Sequence, residues 1–338
     1  MRTMSTRLRL AAIVGVVSVV AGLMITGLGQ SAPTRKAAPN ARSAGPIRIE
    51  GPFFGVTNKF FGVIKKGADA AARQTGVKLI WTVQQTFSVS DAVNSMNTSL
   101  ARHPDVWLVV DVDPKSMDPI IKKAIAAGIT VIDINSRGDV KNPPYLFYIG
   151  SDALLEGQMA GNTVWAASNG TLKRAVCANQ VLGDVTLELR CKGYRTVLRS
   201  HGVKVDEIDV AGGPSQAQAK TQAYFTAHKD SGAIYTLTAG PEAFDPALAA
   251  LKQLHLNGKV KFVANDLSTP ALQAVKAGDV VGLIDQQQYL QGYEGVQWAW
   301  LYKTYGMVPG GGQILTGPSL VTKANANQVS GLVARGYR

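Results

Sequence analysis

The chain has 338 residues, with 35 Lys and Arg against 23 Asp and Glu, and only two cysteines. That length accommodates two domains with well-buried cores. Six of the basic residues (Arg2, Arg7, Arg9, Arg35, Lys36, Arg42) precede residue 46 with no acid among them, so the remainder carries 29 basic against 23 acidic side chains. A mildly basic globule without a concentrated basic stripe argues against a nucleic-acid partner.

Arg2, Arg7 and Arg9 precede an apolar and small run from Leu10 to Leu28, followed by Gly29-Gln30-Ser31-Ala32. Charged n-region, apolar h-region and small-residue cleavage site are the parts of an export signal. The alternative is an uncleaved anchor, because 19 such residues just span a bilayer. No Cys follows the run, which excludes a lipid-anchored mature N-terminus. Either way the bulk of the chain is expected outside the cytoplasm, periplasmic or otherwise extracytoplasmic. Residues 1–32 are assigned to the signal and 33–45, rich in Ala, Pro, Ser and Arg, to a flexible tether. In an oxidising compartment Cys177 and Cys191 form a disulfide by default. A zinc site needs more ligands than two cysteines, and the four His are scattered. No metal and no cofactor is expected.

From Pro46 short apolar runs alternate with amphipathic stretches. A short strand at Ile47–Ile49 leads through a Gly/Pro/Phe loop to a helix over Phe60–Gln74, with Phe61, Ile64, Ala68 and Ala71 on one face. Strands follow at Val77–Val83, Val106–Val110, Ile129–Ile134 and Leu146–Ile149. Helices follow at Ser90–Ala101, Ser116–Ala127 and Ser151–Ser168. The alternation restarts, with strands at Ala175–Ala178, Val205–Val210, Ala233–Leu237, Val260–Ala264 and Val280–Ile284. Its helices are Val185–Ser200, Gln216–His228, Pro246–Leu254, Thr269–Ala277 and Tyr289–Tyr305. Near-continuously apolar strands between helices predict parallel sheets covered on both faces. About ten strands exceed one comfortable doubly wound sheet, so the fold class is α/β with two αβα lobes. Ile314–Lys323 reads as an extended tail that crosses back between the lobes.

In open α/β sheets ligands sit beyond the carboxyl ends of the strands. The loops there hold Thr57-Asn58-Lys59-Phe60-Phe61, Asp111, Asn135-Ser136-Arg137, Asn179-Gln180, Asn265-Asp266 and Asp285-Gln286-Gln287. Carboxylates and amides match paired hydroxyls, and Phe rings cover the C–H faces of a sugar. Phosphate is a poor fit, since no Gly-rich phosphate loop follows a strand. Four polar residues, Asp285 to Gln288, end a buried strand, where they are costly unless bonded.

These residues carry a family pattern. N-K-F-F-x-x-x-K-K-G-A at Asn58–Ala68, A-G-I-T-V-I-D-I-N at Ala127–Asn135, G-S-D-x-x-x-x-G at Gly150–Gly157, I-D-Q-Q-Q-Y-L-Q-G-Y at Ile284–Tyr293 and T-G-P-x-L-V-T-K at Thr316–Lys323 occur in order. From about Ile47 onward the chain resembles the periplasmic sugar-binding proteins of ABC transporters, ribose-binding-protein-like, with the type I periplasmic binding fold. The resemblance implies a three-crossing hinge, with residues 46–149 plus 287–316 as N-terminal lobe and 150–286 plus 317–338 as C-terminal lobe. It implies a non-enzymatic, monomeric receptor that closes on a sugar or polyol and delivers it to an ABC permease. Position by position, it assigns ligand contact to Asn58, Phe60, Phe61, Asn135, Ser136, Asp266 and Gln286; Asp111 joins them as a candidate from the strand-end loops. Glu188 falls where ribose-type proteins place an Arg, so a contact there differs in sign. The Cys pair looks like one sugar-binding branch. Lys59 and Gln288 replace usual prolines, and Thr238-Ala239-Gly240 replaces the usual Asn-Asp, removing one sugar ligand.

Plainer readings stand beside these. Phe60 and Phe61 diverge by about 100° on a helix, so one packs inward and one faces the cleft. Asn135 and Asp266 are also turn or cap residues by type, although Ser268 offers itself as the cap instead. Asp113 before Pro114 reads as a turn residue, Asp133 as a paired core polar group, and Glu188 equally as a solvated helix face. Gln287, Gln288 and Gln291 read as structural, with Gln287 and Gln288 bonding backbone at the hinge. Asp266 with Asp285 forms an imaginable carboxylate pair for glycoside hydrolysis. Rival functions are a sensor of the same fold feeding a chemoreceptor, histidine kinase or quorum-signal system, a LacI-type repressor, and a secreted hydrolase. The export signal and the missing helix-turn-helix oppose the repressor; the missing nucleophile elbow opposes the hydrolase.

Overall fold

The structure, a computed structural model, describes residues 45–56, 59–137 and 143–338. The export segment, nearly all of the tether, and Asn58 lie outside the described residues. The chain first lays down β1 (Arg48–Val56), α1 (Lys59–Thr75), β2 (Lys78–Gln84), α2 (Val89–Arg102), β3 (Val106–Val109), α3 (Pro114–Ala126), β4 (Thr130–Ile134) and β5 (Tyr148–Ser151). A second series runs α4 (Ala153–Ala167), β6 (Arg174–Asn179), α5 (Val185–Ser200), β7 (Lys204–Asp209), α6 (Pro214–Ala227), β8 (Ser231–Thr236), α7 (Phe244–Gln253), β9 (Lys261–Asn265), α8 (Thr269–Ala277) and β10 (Gly282–Asp285). The end of the chain forms α9 (Gln288–Tyr305), β11 (Gln313–Gly317), β12 (Ser319–Val321) and α10 (Ala326–Ala334).

Two six-stranded sheets result, ordered β11-β5-β4-β3-β1-β2 and β12-β10-β9-β8-β6-β7. All pairs are parallel except β10 with β12. Parallel strands need covered faces, and each sheet has an apolar cluster on either side. On β3, for example, Val106 and Leu108 join the cluster under α1 and α9, while Trp107 and Val109 join the one under α2 and α3. This is the two-lobed αβα architecture expected from the alternation.

The chain passes between the sheets three times. β5 of the first sheet leads into α4, which packs on β9 and β10 of the second. β10 leads into α9, which packs on α1, β4 and β5. β11 ends at Gly317, and Pro318 leads into β12. Two helix pairs brace these passages, and glycines set their spacing. A Cβ on Gly67 of α1 would lie 1.9 Å from the Tyr289 carbonyl oxygen, and one on Gly292 of α9 would lie 1.9 Å from that of Ile64. In the second lobe Gly157 of α4 and Gly193 of α5 play the same part against Arg190 and Leu154.

Local signals place the helix starts. Asp113 caps α3 with Pro114 at its first position, Asp152 caps α4, Asp184 caps α5 and Ser268 caps α8. Asp113 is thus a helix cap rather than a plain turn residue. Two elements differ from expectation. β1 does not stop at Ile49 but runs nine residues to Val56. Gly51 makes this work: a Cβ there would lie 1.9 Å from the Leu108 carbonyl oxygen. α10 was not expected at all; its buried residues are only Ala326 and Val329, too short a stripe to stand out in the sequence. No helix among the described residues is long and apolar enough to cross a membrane.

Candidate ligand-binding cleft

The carboxyl ends of both sheets supply polar residues in the expected loops. In the second lobe Asp266 follows β9 with a left-handed backbone, φ 70°. Ser268 accepts the capping bond from the Ala271 amide at 3.2 Å, so Asp266 is not spent on starting α8. One Asp266 oxygen accepts from Gln286 Nε2 at 2.6 Å. Burial pushes the Asp266 carboxyl up to about 6; Arg190 and the Gln286 bond pull the other way. Asp266 and Gln286, expected together, are therefore in contact.

Arg190 was missed by sequence reasoning. It lies in the middle of α5, 5% exposed, on the stripe with Leu187, Cys191, Tyr194 and Leu198. Its Nε meets Glu156 Oε2 of α4 at 2.5 Å and its Nη1 donates to the Leu237 carbonyl at 3.0 Å. Glu156 is 1% exposed and also accepts from Asn265 Nδ2 at 3.1 Å, while Tyr235 donates to Asn265 Oδ1 at 2.5 Å. Burial works against the Arg190 charge, but Glu156 and Asp266 hold it firmly protonated. The legible signal was one charged residue on the apolar stripe of each of two helices. Such residues are rarely buried unless paired.

Glu188 is half-buried, and its Oε1 accepts from the Gly183 amide at 3.1 Å and from Asn179 Nδ2 at 3.3 Å. It closes the start of α5, and the buried charge of that helix is Arg190, two residues on.

In the first lobe Asn135 follows β4, also left-handed at φ 70°. Its Nδ2 donates to Gln291 Oε1 at 2.9 Å, and its carbonyl accepts from Tyr148 at 2.9 Å. Ser136 is buried, and its hydroxyl lies 2.5 Å from that of Thr186 on α5, so the lobes touch at this point. Phe61 is buried in the core and Phe60 is half-buried, the two rings edge to face at 5.4 Å. Asp111, at the end of β3, is deeply buried. It is 1% exposed, both carboxylate oxygens are closed off without a partner, and its neighbours in charge are Asp118 and Asp113 of the α3 side. Burial and those two acids raise it to about 7. Asp133, which accepts from the Asp111 amide at 3.2 Å, is raised further by burial and by Asp111.

The crossing after β10 uses its polar row. Asp285 accepts from the Gln287 amide at 2.8 Å, and its other oxygen lies 2.7 Å from Arg338 Nε, held by charge rather than along a hydrogen-bond line. Gln287 donates to the Thr316 carbonyl at 2.6 Å and accepts from Arg338 at 2.7 Å. Gln291 reaches the Gln286 carbonyl and Thr316 hydroxyl at 3.4 Å. Gln288 departs from expectation: it is buried, and its Oε1 has no partner. Asp285 is fully buried, so it does not face Asp266 across a cleft as a hydrolytic pair would. Cys177 of β6 and Cys191 of α5 are bonded, with Cα atoms 5.9 Å apart. Among the described residues no group of His, Cys, Asp and Glu is placed to hold a metal ion.

The family model for the periplasmic binding protein domain matches residues 54–305. The chain belongs to the periplasmic binding protein family. The expectation raised by the motifs, a type I fold of the sugar-binding kind, is met. This binding protein is 25% identical over 281 residues to the xylose/arabinose-binding protein of Sulfolobus acidocaldarius, covering 80% of this chain and 69% of that one. It is 22% identical over 257 residues to the D-ribose/D-allose-binding protein of Pseudomonas aeruginosa, covering 72% and 78%. Among solved structures, a carbohydrate transporter protein from Acidothermus cellulolyticus in complex with myo-inositol is 31% identical. It superposes with a TM-score of 0.76 over 87% of this binding protein and all of that chain.

Proposed function

We propose that this protein is an extracytoplasmic solute receptor that closes on a sugar or polyol and presents it to an ABC permease. The observation that carries the reading is that Arg190 and Asp266 act on each other's charge at the carboxyl end of the second sheet. Arg190 has donors left after Glu156 and Leu237 are served, and Asp266 keeps one oxygen free of Gln286. A donor beside an acceptor matches two adjacent hydroxyls of a polyol. Asn135, Ser136 and the half-buried Phe60 belong to the other half of the cleft, with Gln286 at the passage between lobes. The ligands of the relatives, pentoses, hexoses and an inositol, are of this chemistry. Contacts from both lobes favour the closed state, and closure is what a permease reads. The relatives are sugar-binding proteins, which supports a receptor that turns nothing over.

The test uses purified residues 33–338 against a panel of pentoses, hexoses and polyols. At least one raises the melting temperature without being converted. Asp266→Ala abolishes that shift while circular dichroism stays native. A panel with no shift refutes the ligand class, and unchanged affinity in the variant removes Asp266 from the site.

A further inference from the structure

The Arg190–Glu156 pair has a consequence for which ligands enter. Glu156 comes from α4 and Arg190 from α5, helices that approach so closely that a Cβ on Gly157 would lie 1.9 Å from the Arg190 carbonyl oxygen. The carboxylate is thereby enclosed between the two helices, 1% exposed. Asn265 Nδ2 holds the same Oε2 at 3.1 Å, and Asn265 is itself fixed by Tyr235 at 2.5 Å. All four side chains are 5% exposed or less. In so poorly solvated a place the guanidinium charge is matched by one carboxylate at hydrogen-bond distance. Asp266 then adds a second negative charge to the same half of the cleft. The nearby Asp285 is matched by Arg338, and in the first lobe Arg137 donates to Gln313. The second-lobe half of the site therefore offers donors without any uncompensated positive charge.

We infer that Glu156 is a specificity-determining residue: by neutralising Arg190 from behind, it restricts the cleft to uncharged sugars and polyols and excludes sugar acids. It is a positioning residue that acts through Arg190. It aims the guanidinium, so that donors remain for a neutral hydroxyl, and it cancels the charge a carboxylate would need. On the second-lobe side a uronate meets Asp266 with no unpaired cation to offset it, Arg137 with its neutral partner Gln313 belonging to the first lobe, and like-charge juxtaposition without compensation is how a site rejects a wrong ligand. Glu156→Gln keeps shape and an acceptor for Arg190 but removes the cancelling charge.

This inference rests on the proposed sugar-receptor function, and the experiment separates the two. Affinities are measured calorimetrically at neutral pH for D-glucose and D-xylose against D-glucuronate, and for D-galactose and L-arabinose against D-galacturonate. Each acid shares ring stereochemistry with its neutral partners. The wild type binds a neutral member on the order of 100-fold more tightly than its acid. Glu156→Gln shifts that ratio toward the acid by at least about tenfold, equivalent to about 1.4 kcal/mol. Tyr235→Phe loosens the same network without changing charge, so it weakens both members together and leaves the ratio where it was. A purely structural Glu156 would move affinity and not the ratio. Overturning results are an unchanged ratio in Glu156→Gln, or a wild type that holds the acid as tightly as the neutral sugar. The latter is decisive even where Glu156→Gln fails to fold. A wild type that binds no neutral sugar on a broad panel removes the receptor reading itself, and this inference with it.

Discussion

Gly292→Ala tests the packing on which closure depends. The added Cβ would sit 1.9 Å from the Ile64 carbonyl oxygen, 2.8 Å from its carbon and 2.9 Å from the Ala68 nitrogen. All three are backbone atoms, so no rotamer change relieves the clash. An ordinary carbon–oxygen contact needs about 3.3 Å, so α1 and α9 must part by roughly 1.4 Å. A radial gap of about 1 Å already forfeits a quarter to a half of each dispersion contact. Overpacking of this kind costs about 1–3 kcal/mol, while Ala in place of Gly returns about 1 kcal/mol of helix propensity. With so close a backbone contact the steric cost sits at the upper end, and a net loss of up to about 2 kcal/mol is expected. Gly62→Ala, also in α1, is the matched control: nothing lies within 4 Å of its Cβ, so it should gain up to about 1 kcal/mol. Urea unfolding followed by circular dichroism reads both as midpoint shifts of opposite sign at constant slope. Ligand affinity should also fall in Gly292→Ala, because the adjoining Gln291 holds Asn135. A Gly292→Ala protein as stable as the wild type, or a Gly62→Ala protein equally damaged, would refute the argument from close helix approach.

Three further outcomes are expected. Replacing both Cys177 and Cys191 by Ala opens a loop with a sequence separation of 14 residues. It should cost about 3 kcal/mol in the chain-entropy picture, read as a urea midpoint lowered to that of the reduced wild type; a wild type indifferent to reductant contradicts this. Asp111 is held to about 7 from an ordinary 3.8, so the native state keeps a proton that the unfolded chain has lost. Its contribution therefore falls as pH rises from about 4 to about 7 and is flat above, a penalty on the order of 4 kcal/mol. Asp111→Asn should remove that slope and be the more stable protein at pH 8, and a gap to wild type that is constant from pH 4 to 8 would count against it. Arg338→Ala strips the fully buried Asp285 of its cation and Gln287 of a donor. It should cost about 1–3 kcal/mol, since Arg338 is itself partly exposed, and should speed ligand release in stopped-flow fluorescence; an unchanged release rate would detach the Arg338 contact from closure.

The carboxyl-end loops were legible in the sequence because strand ends are marked locally. Asn135 directly follows Ile134, Asp266 and Gln286 follow apolar runs with one polar residue (Asn265, Asp285) between, and Ser268 two residues beyond Asp266 indicated that the acid need not be a cap. Glu188 was ambiguous because a charged residue in the first turn of a helix looks the same whether it closes that turn or faces a cleft. Arg190, two positions on, was hidden because its partner lies 34 residues earlier on another helix. Asp111 sits at the end of its strand as Asn135 does, but only the packing shows that its carboxylate is buried without a partner and within reach of the charges of Asp118 and Asp113.

By itself the sequence determined the alternating βα order, the division of apolar strands into two covered sheets, the starts of α4 at Asp152 and α8 at Ser268, and the polar row that ends β10. These follow from backbone periodicity and from hydrogen-bonding needs satisfied within a few residues. Tertiary structure alone decided that β1 continues through Phe53 and Phe54, that Ser136 meets Thr186 across the lobes, that Arg338 binds Asp285, and that Glu156 neutralises Arg190. Each of those depends on how closely two distant backbones approach, and that distance is set by glycines at helix crossings and by sheet register. A polar group's role is fixed only when its partner is in place, because burial makes an unpaired charge too costly to keep.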